Sequence, residues 1–146
     1  ATWLLARTAH PALARSRGAI VAVASVSALY PFPGLGAYSP AKAALLMLCR
    51  QLAQEWAGEG TRVNSVSPGL IRTPLTEPIY RDEEILRQRQ QAVPLGRIGT
   101  PEDVARAIVH LATDAAYVTG IDLRLDGGLG DRTLATIPGK PRSPDS

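Results

Sequence analysis

Tyr38 and Lys42 stand four residues apart. On a helix that spacing puts both side chains on one face, one turn from each other. A tyrosine hydroxyl ordinarily titrates near 10, too high for a base at neutral pH, and a neighbouring ammonium favours the phenolate. Bringing such a hydroxyl close to neutrality takes about 4 kcal/mol. A unit charge about 4 Å away, at an effective dielectric near 20, supplies about that much. The pair is therefore energetically sufficient for proton transfer, although a Tyr-x-x-x-Lys spacing alone more often marks a tyrosine packed on a lysine stem. Ser25 precedes Tyr38 by thirteen positions, with Pro31, Pro33, Gly34 and Gly36 between them. A serine hydroxyl at that place can hydrogen-bond an oxygen of a bound molecule and hold it beside the tyrosine.

These side chains need elements to position them. Residues 1–14 suit a helix, with Leu4, Leu5 and Ala9 at helical spacing, interrupted or kinked at His10-Pro11 and ended by Ser16-Arg17-Gly18. Ala19 to Ala24 is apolar at every position, the pattern of a strand buried on both faces of a parallel sheet. Ser25 follows directly, at the carboxyl end of that strand, where open α/β sheets bind ligands. Residues 26–37 read as a loop. A long helix is expected from Ser39-Pro40, with Ser39 as N-cap and Pro40 at the first helical position, running to about Ala57 and stopping at Gly58 and Gly60. Its stripe of Leu45, Leu48, Leu52 and Trp56, widened by Ala43, Met47 and Ala53, is broad enough for burial on two sides.

Thr61 to Val66 is a second strand, closed by Ser67-Pro68-Gly69. Residues 70–100 are loop-rich around a short polar helix at about Asp82–Gln91. Thr100, Pro101 and Asp103 form the start of another helix, close to a capping box, with Val104, Ile108 and Leu111 on its buried face. Ile121, Leu123 and Leu125 alternate with Asp122, Arg124 and Asp126, as in a sheet-edge strand with one wet face. After Gly130 the chain turns polar and Pro-rich, so residues 131–146 are expected to be a disordered tail. Strands alternating with helices imply right-handed crossovers and a parallel sheet covered on both faces. The apolar run at Ala19–Ala24 is a poor edge strand, so further strands are expected beside it, preceding Ala1.

Composition narrows the function classes. Of 146 residues, 45% are hydrophobic and 20% charged, as in an ordinary globular domain. Cys49 is the only cysteine, which excludes an internal disulfide and a multi-cysteine metal site, and no metal site is expected. It falls within an apolar helical run and reads as a small buried side chain. The net charge of +3 comes mostly from arginines spread from Arg7 to Arg142, and aromatics are few, so neither a basic block nor a stacking platform for nucleic acid is present. No apolar stretch is long enough for a membrane span. The start lacks the basic region of a secretory signal, so a cytoplasmic location is expected. The absent initiator Met suggests a chain cut from a longer one.

Several segments in order bear a resemblance to a known family. GAIVAVASVSALYPFPGLGAYSPAKAAL resembles the active-site region of the short-chain dehydrogenase/reductases. TRVNSVSPGLIRTPL resembles their segment that closes over the nicotinamide, and PLGRIGTPEDVARAIVHLATDAAYVTGIDLRLDGG their last helix and strand. The resemblance covers roughly residues 1–130. It implies an α/β fold, the C-terminal half of a Rossmann-like doubly wound parallel sheet of three strands with flanking helices, the N-terminal dinucleotide-binding strands being absent.

It also implies an oxidoreductase that interconverts a secondary alcohol and a ketone with NAD or NADP. Tyr38 would be the general acid/base. Lys42 would lower its pKa and hold the nicotinamide ribose, and Ser25 would position and polarise the substrate oxygen. Pro68 and Gly69 would line the nicotinamide, with Ile71 and Thr73 at its carboxamide. The loop of about 74–97 would form much of the substrate pocket, and the longer protein would be a homodimer or homotetramer, partly through residues 39–57. Ser27 competes with Ser25, but its spacing to Tyr38 does not match the family. His10 and His110 read as structural or solvated, and Arg97 as either a substrate contact or half of an ion pair.

The pattern comes close to the 3-oxoacyl carrier-protein reductases. Ala41 replaces a residue that often carries a hydroxyl. The larger departure is the absence of a glycine-rich turn after a first strand, together with the Asn-Ala-Gly strand end and the residue that separates NAD from NADP. The alternative reading is a truncated, non-catalytic relative that acts, if at all, as a protein-interaction subunit.

Overall fold

A computed structural model describes residues 1–136. Helix α1 (Thr2–Ser16) is followed by strand β1 (Ala19–Val23), a 3-10 turn at Val26–Ala28 and the long helix α2 (Tyr38–Trp56). Then come strand β2 (Arg62–Pro68), two short helices α3 (Glu77–Tyr80) and α4 (Glu83–Ala92), helix α5 (Pro101–Thr113) and strand β3 (Asp122–Leu125). The three strands form one sheet in the order β1-β2-β3. Both pairings are parallel, with Ala19 opposite Arg62 and Ser65 opposite Asp122 as the first register pairs. The architecture is α/β, as the alternation of elements predicts.

The sheet is covered on both faces. On one, Cys49, Leu52, Ala53 and Trp56 of α2 and Ala6 of α1 pack on Ala22 and Val63. On the other, Leu111 and Ala115 meet Val66, with Val21, Val104, Ile108, Leu123 and Leu125 around them. β2 is central and its residues 63–67 are all buried. Its polar side chains are therefore satisfied internally, as buried polar groups must be. Asn64 donates to the carbonyl of Val118 and accepts from the N–H of Ile121, which ties the loop after α5 to the sheet. Arg62 donates to the carbonyls of Leu111 and Ala112 at 2.6 and 2.7 Å, so a cation sits where the last turn of α5 leaves acceptors free.

Several expectations shift. α1 runs through Pro11 instead of breaking there. α2 starts at Tyr38, its N-cap position is Ala37, and no side chain caps it. Ser39 thus lies one residue inside the helix, where its hydroxyl is buried without a partner among the described residues. The start is set by the preceding turn, whose Leu35 carbonyl accepts from the N–H of Tyr38. Leu46 belongs to the buried face of α2, while Met47 is exposed, a shift of the stripe by one position. Asp122 of β3 is not solvated: one of its oxygens accepts from both Ser65 and Ser67. Where the polar tail is expected from 131, a 3-10 helix spans Leu129–Thr136; the rest of that tail lies outside the described residues. The Thr100–Asp103 capping box and the Pro101 start of α5 form as expected, as does the polar helix capped by Asp82.

Candidate active site

Three chain segments meet at the carboxyl ends of β1 and β2. The first is the exit from β1. Ala24 extends the ladder by donating to the Val66 carbonyl, and Ser25, in extended conformation, caps the 3-10 turn at Val26–Ala28. The Ser25 hydroxyl oxygen accepts the Ser27 N–H at 3.2 Å. One acceptor site is thereby used and the O–H remains free to donate outward. Ser27 is buried, and its backbone is what orients Ser25.

The second segment is the first turn of α2. Tyr38 is 45% exposed. One turn on, the Lys42 ammonium donates to the Val23 carbonyl at 2.9 Å and lies 5.7 Å from the centre of the Tyr38 ring. The carbonyl at the end of β1 thus anchors the lysine, which brings a positive charge beside the tyrosine and within two residues of Ser25.

The third segment leaves β2. Gly69 donates to the Leu125 carbonyl. A Cβ at Gly69 would stand 2.9 Å from both the Cα and the Cβ of Asp126, so glycine is required by the close approach of the two strand ends. Ile71 bridges to Gly99. Thr73 and Thr76 lock the next turn: the N–H of Thr73 donates to the Thr76 hydroxyl, which donates in turn to the Ile71 carbonyl.

These segments enclose one cleft of about 590 Å³. It brings together all the residues singled out from the sequence: Ser25, Tyr38, Lys42, Pro68, Gly69, Ile71 and Thr73. Arg97 is not among them. It pairs with Asp103 at 2.6 Å, and its guanidinium, with help from the Thr100 N–H, holds the Asp103 carboxyl well below the usual carboxylate range. His10 stacks on Trp56 and contacts Glu59, and His110 faces Asp114 on the outside of α5. Both lie outside the cleft. Cys49 is also elsewhere; burial pushes its thiol up to about 11. Among the described residues no cluster of His, Cys, Asp and Glu could hold a metal, and no helix is long and apolar enough to cross a membrane.

The opposite wall was not legible. Leu75, Thr76, Tyr80 and Arg89 close the cleft from the 74–97 segment, facing Val104, Ala105 and Ile108 of α5. Tyr80 is buried, at 3% exposure, and carries the Arg89 guanidinium 5.5 Å from its ring centre. The one hint was an aromatic in a polar stretch. Tyr80 and Arg89 are nine apart and lie on separate helices divided by the turn at Arg81-Asp82, so no helical spacing pairs them.

Residues 1–130 match the family model described as enoyl-(acyl carrier protein) reductase. A 3beta-hydroxysteroid dehydrogenase of Eggerthella lenta is 41% identical over 113 residues, 77% of this chain and 43% of that one. A 3-oxoacyl-[acyl-carrier-protein] reductase of Thermotoga maritima is 43% identical over 113 residues, 77% of this chain and 45% of its own. Among solved structures, 4-hydroxyisoleucine dehydrogenase complexed with NADH superposes with a TM-score of 0.82 at 35% identity, over 88% of this chain and 54% of that one. The chain belongs to the short-chain dehydrogenase/reductase family. It spans about half the length of the curated relatives it matches.

Proposed function

We propose that this chain is the catalytic half of an NAD- or NADP-dependent oxidoreductase that interconverts a secondary alcohol and a ketone. The observation that carries the reading is the single cleft in which Ser25, Tyr38 and Lys42 face Pro68, Gly69, Ile71 and Thr73. The residues present fit the nicotinamide end of such a cofactor. Val23, Pro68 and Ile71 offer an apolar wall for a flat ring, Thr73 a hydroxyl, and Lys42 a fixed ammonium whose remaining N–H groups can meet ribose hydroxyls. When bound, the cofactor gives or takes the hydride. Pro68, Gly69, Ile71 and Thr73 hold its ring end, and Lys42 its ribose.

The chain's own work is proton transfer and positioning. Ser25 donates its free O–H to the substrate oxygen. Tyr38 gives that oxygen its proton in reduction and takes it in oxidation, with the Lys42 ammonium held 5.7 Å from its ring centre. Apolar side chains of α5 and the 74–97 segment, Val104, Ile108 and Leu75 among them, line the substrate side of the cleft. The phosphates of the dinucleotide are held by residues outside this chain, because the chain contains no glycine-rich turn between a first strand and a helix. β1 pairs only with β2 among the described residues, which leaves an edge for a further strand. The longer protein is soluble and dimeric or tetrameric, and its partners are small alcohols and ketones, not nucleic acid or membrane. A 3-oxoacyl substrate is the specific variant that the Thermotoga relative's name suggests.

Calorimetry on the 146-residue chain with NADH and NADPH checks the division of labour. No measurable binding is expected, and tight binding would contradict it. Turnover of a panel of ketones and secondary alcohols by the longer protein, followed by nicotinamide absorbance, checks the activity. Absence of turnover with an intact cofactor site would favour the non-catalytic alternative.

A further inference from the structure

The catalytic cleft carries two charged side chains and both are cations: Lys42 and Arg89. Lys42 is occupied by the Val23 carbonyl. Arg89 has no carboxylate partner among the described residues, whereas Arg72 and Arg97 are each paired within the chain. Arg72 is held by Glu77 in a two-point pair at 2.8 and 2.7 Å, and Arg97 is held by Asp103. Arg89 is partly buried and rests on the face of the buried Tyr80 ring, so its guanidinium is oriented without being consumed. It also lines a second cleft, with Val26, Tyr30, Phe32 and Leu129, that shares Leu70 with the first. Arg89 therefore stands where the two clefts join, and among the described residues it is the only charged one lining the second.

We infer that the substrate carries an anionic group, a carboxylate or its sulfonate or phosphate equivalent, bound by Arg89 while its carbonyl or hydroxyl carbon lies at Ser25 and Tyr38. A planar guanidinium with its N–H fork unpaired is matched by such an oxyanion in two-point geometry. A neutral substrate would offer that fork no oxyanion to pair with. The inference rests on the reading of this cleft as a carbonyl site.

The test needs no cofactor. The 15N-labelled protein is titrated with levulinate, a keto acid, and with methyl levulinate, which has the same carbonyl but no charge, while the Arg89 Nε–H signal is followed by NMR. Levulinate is expected to move that signal saturably and the ester to leave it in place. Arg89→Gln should weaken levulinate binding by about tenfold or more, the scale of one charge-assisted hydrogen bond. Arg81→Gln, at an exposed arginine outside the cleft, should change nothing. Equal responses to acid and ester, or unchanged levulinate binding in Arg89→Gln, would overturn the inference. If that variant does not fold, as its amide spectrum would show, the comparison of acid with ester on the unaltered protein decides alone. Anion binding at Arg89 in a protein that turns over no alcohol or ketone would remove the oxidoreductase reading, overturn the placement of a carbonyl at Ser25 and Tyr38, and keep only the anion site. Turnover with a preference for neutral ketones would do the reverse.

Discussion

Substituting Gly69 by Ala probes how the wall of the cleft is built. The added Cβ would lie 2.9 Å from the Cα and Cβ of Asp126, about an ångström inside ordinary carbon contact. Part of that obstacle is backbone, so no side-chain rotation relieves it. The ends of β2 and β3 must move apart, stretching the 3.1 Å bond from the Gly69 N–H to the Leu125 carbonyl. Overpacking of this kind costs about 1–3 kcal/mol. Gly58 provides the control: a Cβ there meets nothing within 4 Å, so Gly58→Ala should stabilise by about 0.4–1 kcal/mol through the unfolded chain. Urea unfolding of the two variants beside the parent measures both, with the slope unchanged. Opposite signs are expected. A Gly69→Ala protein as stable as the parent would show that the strand ends are not in the close contact on which the cleft geometry depends.

Other consequences follow from single contacts. Arg62→Met removes the donors to Leu111 and Ala112 and should destabilise by about 1.5–3 kcal/mol, the range for hydrogen bonds from a charged group, read by urea midpoint. Thr100→Ala opens the capping box of α5 and should cost about 1 kcal/mol in the same assay. The Asp103 carboxyl is held low by Arg97, so the unfolded chain binds that proton first. Its contribution is complete above the ordinary carboxylate range near 4 and is lost as the pH falls below it. Asp103→Asn should therefore flatten the acid side of the stability profile, and an unchanged profile would refute the pairing. Cys49, with its thiol pushed up to about 11, should stay unmodified by iodoacetamide near pH 8 in the native protein and react on unfolding.

The elements that position the site were legible because their signals are local. The apolar run of β1 and the Thr100-Pro101-Asp103 start of α5 each specify one structure from a few adjacent residues. The grouping of Ser25, Tyr38 and Lys42 was legible through the resemblance of the segments around them to the family, since Ser25 at a strand end and a tyrosine and lysine one helical turn apart are weak signals alone. Errors arose where a distant partner decides. Ser39 looked like a cap, but the Leu35 carbonyl and the turn before Tyr38 set the helix start. Asp122 looked solvent-facing, but Ser65 and Ser67 of the neighbouring strand both donate to one of its oxygens. The Tyr80–Arg89 wall joins two helices across a turn and leaves no periodic trace. The 3-10 helix at Leu129–Thr136 lies in a polar composition that reads as unfolded; the Tyr30–Arg124–Asp131 contacts tie its first turn to the rest of the chain.

The central claim is that Tyr38 moves the proton in a hydride-transfer reaction. Its most direct test is Tyr38→Phe in the longer protein that carries this segment, with steady-state turnover and nicotinamide-cofactor affinity measured side by side. The account predicts a fall in kcat of about 100-fold to 10,000-fold, the scale of lost general acid/base catalysis, with cofactor affinity nearly unchanged. Turnover at the parent rate would contradict it.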